Sequence, residues 1–214
     1  MTANEHDPED GRLWRQMPTE YRRRQLIEAA LDVISEVGIS KTTVNLVARR
    51  AGLSPAVVNL QFKSKDNMLV EAFSTVWQEF KDGWVAAQID DASRVDVAQK
   101  VRNMLAVHFR PELCTPKKLR VWFAFLGEAS SRETYLEITH RYEDAYVGVL
   151  SDLCEELIQV GGYEHLNAAR VARSLLAACD GLWLSRMLRP GTLPPEECLR
   201  NLDGQLAAFF PKHF

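Results

Sequence analysis

The stretch TTVNLVARRAGLSPAVVNLQF, residues 42–62, contains the signals that decide the fold of this chain. Thr42 or Thr43 can cap a helix that runs to Arg50, because a threonine hydroxyl accepts a hydrogen bond from a free N–H group of the first turn. Ser54 is followed by a proline, which loses no hydrogen bond at the first position of a helix. The stretch therefore predicts two short helices joined by a turn of a few residues.

The residues around this turn have the sizes that two crossing helices need. Ala48 lets the helices approach closely, Gly52 tolerates a positive φ, and Val58 is placed to fill the space between the helices. This spacing is typical of a helix-turn-helix, whose second helix enters the DNA major groove and presents its N-terminal residues to the base edges. The alternative is a plain helical hairpin with a basic, solvated face.

The distribution of charge favours DNA binding over that alternative. The 214 residues carry a formal net charge of −3, yet residues 12–65 contain ten basic and four acidic side chains, a local net charge of +6. The positive charge therefore belongs to one segment, and an acidic body follows it. A basic module of this kind predicts a polyanionic partner, whereas the body must serve another purpose.

Apolar residues recur at helical spacing along the chain, and no stretch alternates as a strand would. The pattern predicts an all-α fold of about nine helices. We expect a flexible N-terminal tail at 1–17, a three-helix helix-turn-helix DNA-binding domain at 18–64, and a larger helical ligand-binding and dimerisation domain at 65–214. The first helix is expected near 19–37, the second after Thr42 or Thr43 through Arg50, and the third from Ser54-Pro55. The later helices are expected near 65–88, 93–109, 116–130, 132–160, 166–188 and 195–209.

Other classes of protein lack support in the sequence. The four cysteines form no CxxC pair and are expected to be reduced core thiols. No apolar run reaches the roughly 18 residues of a membrane span, and the acidic N-terminus fits no secretory signal. His140 and Asp144 lie four residues apart, but no phosphate loop, nucleophile motif or metal-ligand spacing accompanies them. We expect a soluble, cytoplasmic protein that is not an enzyme, without catalytic residues, cofactor, metal or membrane partner.

Residues 21–69 resemble the DNA-binding domain of the TetR family of transcriptional regulators. The family motifs stand here as Thr42-Thr43-Val44, Ala48 to Ser54, Phe62, and Ser64-Lys65 to Leu69. The resemblance implies a recognition helix that faces the bases and flanking groups, Thr43 and Lys65, that contact phosphate. The residues expected to contact DNA are Arg22, Thr43, Ser54, Ala56, Val57, Asn59, Leu60, Gln61 and Lys65.

The recognition helix departs from the family pattern at residues 59–61. Family members usually carry tyrosine, another aromatic residue or histidine there, whereas this chain has two amides and a leucine. Base reading must therefore rest on amide and aliphatic groups. The amide of Asn59 suits N6 and N7 of adenine, and Val57 or Leu60 suits the methyl group of thymine.

The rest of the chain resembles the regulatory domain of the BetI-type repressors, which control choline-to-betaine genes. The residues Arg22 to Ile27, Trp122 with Ala124-Phe125, and Asp180 to Leu184 carry this resemblance. It implies a body that binds a small effector, and two last helices that join the subunits into a homodimer on a palindromic operator in double-stranded DNA. The expected function is a repressor that choline or another organic cation releases from its operator.

Without the resemblance, the body offers aromatic stripes, each of which can be ordinary core, and one unusual carboxylate. Asp180 shares an apolar helical face with Trp183 and is costly to bury alone. Its partner is an arginine such as Arg173 or Arg186 on a neighbouring helix or subunit, a backbone amide, or a cationic ligand that ring faces also hold. The residues expected to bind the effector are Trp84, Trp122, Phe125, Glu128, Tyr135, Tyr142, Asp180 and Trp183.

Small and apolar residues of the last two predicted helices offer a surface for the homodimer. They are Ala168, Ala169, Val171, Ala172, Leu199, Leu202 and Leu206. An alternative function keeps the DNA-binding dimer but gives it no small-molecule effector. In that case the helical body would bind a protein partner.

Overall fold

The computed structural model describes residues 18–89, 96–129, 132–189 and 191–214, and within these ranges it contains nine α-helices and no strand. The helices are α1 (Thr19–Val37), α2 (Val44–Arg50), α3 (Pro55–Phe62), α4 (Lys65–Ile89), α5 (Val97–Ala106), α6 (Pro116–Ala129), α7 (Glu133–Gly161), α8 (Ala168–Leu188) and α9 (Pro195–Phe209). A turn of 3₁₀ helix, Val107–Phe109, follows α5. The prediction of an all-α fold is confirmed, while the predicted tail 1–17 lies outside the described residues.

The two threonines before α2 have different roles. Thr43 is the cap, because its Oγ1 accepts the backbone N–H of Leu46 at 3.2 Å. Thr42 is fully buried and donates its hydroxyl to the carbonyl of Gly38 at 2.7 Å. Gly38 follows α1 with a φ of 78°, a conformation that glycine adopts at little cost. Together they fix the connection from α1 to α2.

Side-chain caps also set later helix starts. Asp96 accepts the N–H of Gln99 at 2.8 Å and so begins α5 at Val97, whereas residues 93–95, where the sequence predicts the start, lie outside the described residues. Asn167 accepts the N–H of Arg170 at 3.0 Å before α8. Each cap satisfies an N–H group that the helix itself leaves without a partner.

The chain divides into two compact units. The first contains residues 18–75 and Arg120–Glu128, and the second contains Val76–Leu119 and Ala129–Phe214. In the first unit, α1 packs on α2 and α2 packs on α3. Its aromatic core includes Phe73 and Phe125, whose rings stack with centroids 4.6 Å apart.

The second unit is built around the pairing of α7 with α8, against which α5 and α9 also pack. A long pair of helices with an apolar inner face is stabilised mainly by the burial of that face. Here the buried face carries aromatic side chains, among them Tyr146 of α7 and Trp183 of α8. Within the described residues, no helix is both long enough and apolar enough to cross a membrane.

The residues that the sequence offers as a dimer surface are mostly buried inside their own chain, so that surface prediction is wrong. A side chain that is already packed in the monomer has no area left to bury against a second subunit. The exposed face of α8 instead presents small residues followed by two leucines. The buried residues are Ala168, Val171, Ala172, Leu202 and Leu206, and the exposed ones on α8 are Ser174, Ala177, Gly181, Leu184 and Leu188.

Candidate DNA interface and effector site

The turn between α2 and α3 has the geometry that the sequence predicts. Ala48 and Val58 are each 1% exposed where the two helices meet. Gly52 has a φ of 70°, and the N–H of Leu53 donates to the carbonyl of Ala48 at 2.8 Å. The helix-turn-helix is confirmed, because the small residue, the left-handed glycine and the apolar plug all stand where the crossing needs them.

The exposed face of α3 is formed by Ala56, Asn59 and Leu60. These residues lie at i, i+3 and i+4 and therefore share one side of the helix. Leu60 is 79% exposed, whereas Val57 and Gln61 are half-buried at the flanks of this face. The structure thus brings together one amide and two aliphatic side chains as the surface available to base edges.

Two hydroxyl groups flank this face at helix starts. Thr43 and Ser54 are both exposed. The Thr43 oxygen accepts the N–H of Leu46, which leaves its own proton free to be donated. Ser54 precedes α3 without a side-chain cap of its own. Both hydroxyl groups can therefore donate to a phosphate at a helix N-terminus, where the backbone also favours an anion.

The two predicted basic contacts are half-buried. Lys65 donates its Nζ to the carbonyl of Ile39 at 3.5 Å, which is long for a hydrogen bond. Arg22 donates its Nη2 to the hydroxyl of Thr19 at 3.1 Å. A flexible lysine held only by a long contact costs little to redirect toward a phosphate.

Arg23 is a residue that the sequence analysis missed. Its Nη1 donates to the carbonyl of Gln61 at 2.7 Å, and its Nε donates to Glu71 at 2.7 Å. Its guanidinium also lies 4.8 Å from the ring centroid of Phe62. Arg23 therefore holds the last turn of α3 against α1 and α4. The signal was present, because Arg23 stands three residues before Leu26 on the buried face of α1.

Three of the predicted effector residues lie in the first unit. Trp122 and Phe125 are 5% and 0% exposed, and Phe125 stacks on Phe73. Glu128 is half-buried and accepts the hydroxyl of Ser40 at 3.5 Å. In the structure these side chains take part in the packing of the unit that carries the helix-turn-helix.

Two others, Trp84 and Trp183, belong to an aromatic cluster in the second unit. His108 lies at its centre, with ring centroids 4.8 Å from Phe80, 5.2 Å from Trp183 and 5.4 Å from Tyr146. Trp84 meets Tyr146 edge-on at 5.9 Å. Edge-to-face contacts of this kind are each worth about 0.5–1.5 kcal/mol beyond burial. The cluster therefore packs α7 and α8 against α4 and the 3₁₀ turn.

Hydrogen bonds fix the polar atoms of this cluster. The Trp183 indole donates to the carbonyl of His108 at 2.6 Å. The Nδ1 of His108 lies 3.1 Å from the carbonyl of Leu105, and since a carbonyl only accepts, this nitrogen carries the proton. Burial lowers the pKa of His108 from 6.5 to about 4, so its imidazole is neutral at pH 7.

Two predicted tyrosines lie on α7. Tyr142 is half-buried and stacks on Trp77, with centroids 5.6 Å apart and planes 12° apart. Its hydroxyl donates to Oε1 of Gln78 at 3.1 Å. Tyr135 is 1% exposed, and the guanidinium of Arg132 lies 5.5 Å from its ring centroid. Tyr142 therefore offers a partly accessible ring system, whereas Tyr135 is core.

Asp180 is an acidic side chain of the second unit that is partly buried and has a strongly raised pKa. It is half-buried on α8, and its pKa is raised from 3.8 to about 7, first by burial and then by the charge of Glu143. In the described part of the chain, neither Arg173 nor Arg186 forms an ion pair with it. Arg186 donates instead to the carbonyl of Leu193. An ion pair of Asp180 with Arg173 or Arg186 is therefore absent within the described residues of a single chain.

Glu143 is the second residue that the sequence did not reveal, since it stands among other charged residues of α7. The side chain is half-buried on α7. Its pKa is raised, first by burial, while the nearby Asp144 adds to the rise and His140 and Arg173 oppose it. Only the pairing of α7 with α8 brings Glu143 and Asp180 together, so no local pattern could have revealed this pair of carboxylates.

A cavity of about 550 Å³ lies elsewhere in the second unit and contains none of the predicted effector residues. It is open to solvent and carries one cation, Arg110, and one anion, Glu196. The carboxylates of α7 and α8, by contrast, lie where a charge meets an aromatic ring, since the charge of Asp180 acts on the hydroxyl group of Tyr146. Among the described residues, no group of three or more histidine, cysteine or acidic side chains could hold a metal ion.

Two family models match the chain. Residues 26–72 match the model of bacterial regulatory proteins of the tetR family, and residues 97–211 match the model of the C-terminal region of BetI-type transcriptional repressors. The first match contains α2 and α3, and the second contains α5 to α9. The helix-turn-helix therefore lies in the first match, and Glu143 and Asp180 lie in the second.

Similarity to individual proteins agrees with the two family models. The chain is 32% identical over 185 residues to the HTH-type transcriptional regulator BetI of Stenotrophomonas maltophilia, covering 86% of this chain and 91% of the relative. A transcriptional regulator from Pseudomonas aeruginosa PAO1 superposes with a TM-score of 0.82 at 25% identity, over 94% of this chain and 96% of the other. A regulator from Saccharomonospora viridis in complex with choline has a TM-score of 0.71 at 18% identity, over 86% and 95% of the two chains.

Proposed function

Because the chain belongs to the TetR family and is a DNA-binding transcriptional repressor with a BetI-type C-terminal region, we propose that a small organic cation, with choline as the first candidate, is its effector. The cation would bind in the second unit and lower the affinity of the repressor for its operator. The observation that carries this proposal is the half-buried carboxylate of Asp180, which feels the charge of Glu143 and forms no ion pair with an arginine in the described part of the chain.

The chemistry of the site favours a cation over a neutral or anionic effector. A buried carboxylate is costly unless a positive charge or hydrogen-bond donors compensate it. An acyl chain or a neutral aromatic molecule would leave the two carboxylates uncompensated and would remove water from them. A quaternary ammonium group compensates the charge, and each well-placed ring face adds about 0.5–2 kcal/mol. Tyr142 and Trp183 lie on the same helices as the carboxylates.

The choline complex of the Saccharomonospora viridis regulator supports the choice of the first candidate. That protein shares the fold of this chain at 18% identity. A shared fold does not by itself choose a ligand, and the preference for a cation comes from the carboxylates of Asp180 and Glu143. Choline is chosen as the probe because it joins a permanent positive charge to a small, neutral hydroxyl group.

We also propose that two copies of the chain form a symmetric dimer through the exposed face of α8. Its small residues Ser174, Ala177 and Gly181 permit a close approach, and Leu184 and Leu188 extend the same side of the helix. Leu188 is 66% exposed in the monomer. A two-fold dimer would present two copies of α3 and therefore requires an operator with two-fold symmetry.

Calorimetry joined to a mobility-shift assay tests the proposal. DNA is first selected from a random pool with the full-length protein, and choline is then titrated against the protein alone and against the complex. We expect choline to bind, to weaken the complex, and to lose both effects in Asp180→Asn. Asp152→Asn, an exposed acid on α7, is the matched control and should behave as the native chain. Equal heats in native protein and Asp180→Asn would reject the effector assignment.

A further inference from the structure

The open cavity of about 550 Å³ in the second unit has the size of a small-molecule site. Its walls come from the end of α4, from α5 and the turn that follows it, and from the beginning of α9. Most of the lining is apolar and includes Phe109 and Leu199. Among the described residues that line the cavity, Asn103, Arg110 and Glu196 are the polar ones. An apolar cavity with a few polar side chains is typical of a site for an organic ligand.

The walls of the cavity are held together by contacts that need no ligand. Arg102 of α5 donates its Nε and Nη2 to the carboxylate of Asp203 of α9, at 2.7 and 3.0 Å. This two-bond pairing of a guanidinium with a carboxylate fixes direction as well as distance. On the opposite side, a Cβ at Gly83 of α4 would stand 2.9 Å from Cδ1 of Leu113 and 3.2 Å from Cγ1 of Val107. The walls are therefore already in place, which lowers the cost of binding.

Arg110 presents a positive charge to the cavity from a fixed backbone. Its ψ of 137° is the extended conformation that a following proline, here Pro111, favours. Its carbonyl accepts the N–H groups of Leu113 and Cys114 at 3.0 and 2.9 Å. Within the described residues, its guanidinium forms no ion pair and makes one hydrogen bond, to the carbonyl of Gly83 at a long 3.5 Å. Most of its five donor hydrogens are therefore available to a ligand.

Glu196 carries the opposite charge on the same cavity. The other two carboxylates near the start and middle of α9, Glu197 and Asp203, are each paired with an arginine. Glu196 is exposed and forms no ion pair in the described part of the chain, with Arg110 or with any other cation. One cavity thus holds a cation and an anion that do not neutralise each other. A ligand that carries both charges would compensate both.

We propose that this cavity binds a small zwitterion with an apolar body, of the kind that an apolar α-amino acid provides. The carboxylate of the ligand pairs with Arg110 through two parallel hydrogen bonds, and its ammonium group donates to Glu196. The apolar body packs on Phe109 and Leu199. A ligand with only one of the two charges would remove water from the other charged side chain without compensating it. The site is separate from the carboxylates of α7 and α8 and goes beyond the proposed effector function.

Three probes with the same phenyl body test the proposal. Phenylalanine carries both charged groups, 3-phenylpropanoate lacks the ammonium group, and 2-phenylethylamine lacks the carboxylate. Each is titrated with the full-length protein at pH 7, and the NMR signals of the phenyl protons measure its affinity. We expect phenylalanine to bind about tenfold more tightly than either of the others, because each of those loses one charge-assisted hydrogen-bonded pair.

Two substitutions should have crossed effects on these probes. Arg110→Gln should weaken phenylalanine and 3-phenylpropanoate about tenfold and leave 2-phenylethylamine unchanged, because only the carboxylate loses its partner. Glu196→Gln should weaken phenylalanine and 2-phenylethylamine and leave 3-phenylpropanoate unchanged. Arg170→Gln and Glu112→Gln, at exposed positions outside the lining, are the matched controls and should change none of the three. Since Glu196 is exposed, its variant should fold as the native chain does, even if Arg110→Gln is less stable.

The outcomes separate this proposal from the effector function. If 3-phenylpropanoate binds as tightly as phenylalanine, Glu196 contributes nothing and the zwitterion is excluded. If the variants behave as their controls, or if no probe binds to protein that still binds its selected DNA, the proposal is wrong. Choline affinity should be the same in native protein, Arg110→Gln and Glu196→Gln, so failure of the zwitterion site leaves the effector function standing. Loss of choline binding in both variants would contradict the separation of the two sites.

Discussion

Asp180 links the stability of the folded chain to pH. Its pKa is raised from 3.8 to about 7, so the folded chain holds this proton more tightly than the unfolded chain does. The associated stability is fully present below about pH 4 and is lost as the pH rises to about 7. His108 acts in the opposite sense, because its pKa is lowered from 6.5 to about 4 and stability is lost as the pH falls through that window.

We therefore expect Asp180→Asn to raise the free energy of unfolding at pH 8 by at most about 4 kcal/mol, which corresponds to a shift of about three pKa units. At pH 4 the variant and the native chain should differ little. Between pH 4 and 6.5 the variant should keep the gain in stability that His108 gives with rising pH and should lack the opposing loss that Asp180 causes in the native chain. Urea unfolding at pH 4, 6 and 8 measures this, with Asp152→Asn as the control. A constant difference between the variant and the native chain at all three pH values would contradict the assignment.

Asp180 and Glu143 show what the sequence could and could not predict about the site. Asp180 was identifiable because a carboxylate interrupts an apolar stripe on its own helix. Glu143 stands among other charged residues and breaks no local pattern. Its meaning depends on which helix packs across from α7, and spacing along one helix carries no information about that neighbour.

The helices themselves were predictable because local residues set their ends. Thr43, Asp96 and Asn167 each cap a helix with a side-chain oxygen, and Gly162 ends α7 with a φ of 68°. The predicted dimer surface failed for a different reason. Alanine and leucine stripes mark the faces of α8 and α9 that are buried, but the pattern does not tell burial inside a chain from burial between chains.

The recognition helix α3 is held at its C-terminal end by one side chain from α1. Arg23 donates to the carbonyl of Gln61 and pairs with Glu71. Since this pair is about one-third exposed, the ion pair alone is worth about 1 kcal/mol or less. The hydrogen bond to a carbonyl of the last turn adds a positional constraint that a surface ion pair lacks.

We expect Arg23→Ala to lower stability by about 1–2 kcal/mol and to weaken binding to operator and to unrelated DNA by similar factors, because α3 loses its support while its base-facing residues remain. Arg24→Ala, at an exposed position of the same basic run, is the control for the loss of one positive charge. Mobility shifts at two salt concentrations measure both effects. If both variants weaken DNA binding equally, Arg23 acts only through its charge.

At the scale of the whole molecule, the proposed dimer through the exposed face of α8 would set whether one chain or two bind the operator. A large charged residue at the centre of a close helix contact cannot be accommodated, so Ala177→Arg should convert a dimer into a monomer. The control substitution Gln159→Arg, at an exposed position of α7, should leave the dimer intact. Sedimentation at micromolar concentration measures the mass. A native chain that sediments as a monomer would remove the basis for a palindromic operator.

Effector and operator binding to one repressor must be reciprocal. If choline lowers operator affinity a hundredfold, the coupling free energy is about 2.7 kcal/mol, and the operator must lower choline affinity by the same factor. Such coupling exists only if the cation binds one conformation of the protein better than the other, so tight binding alone does not release DNA.

We expect Asp180→Asn to remove the coupling between choline and DNA. Asn59→Ala, on the exposed face of α3, should weaken DNA binding and leave the coupling factor unchanged. Calorimetric titration of choline with and without saturating operator measures the factor from one side, and mobility shifts with and without choline measure it from the other. Unequal factors would mean that choline and DNA do not act through a shared equilibrium of this protein.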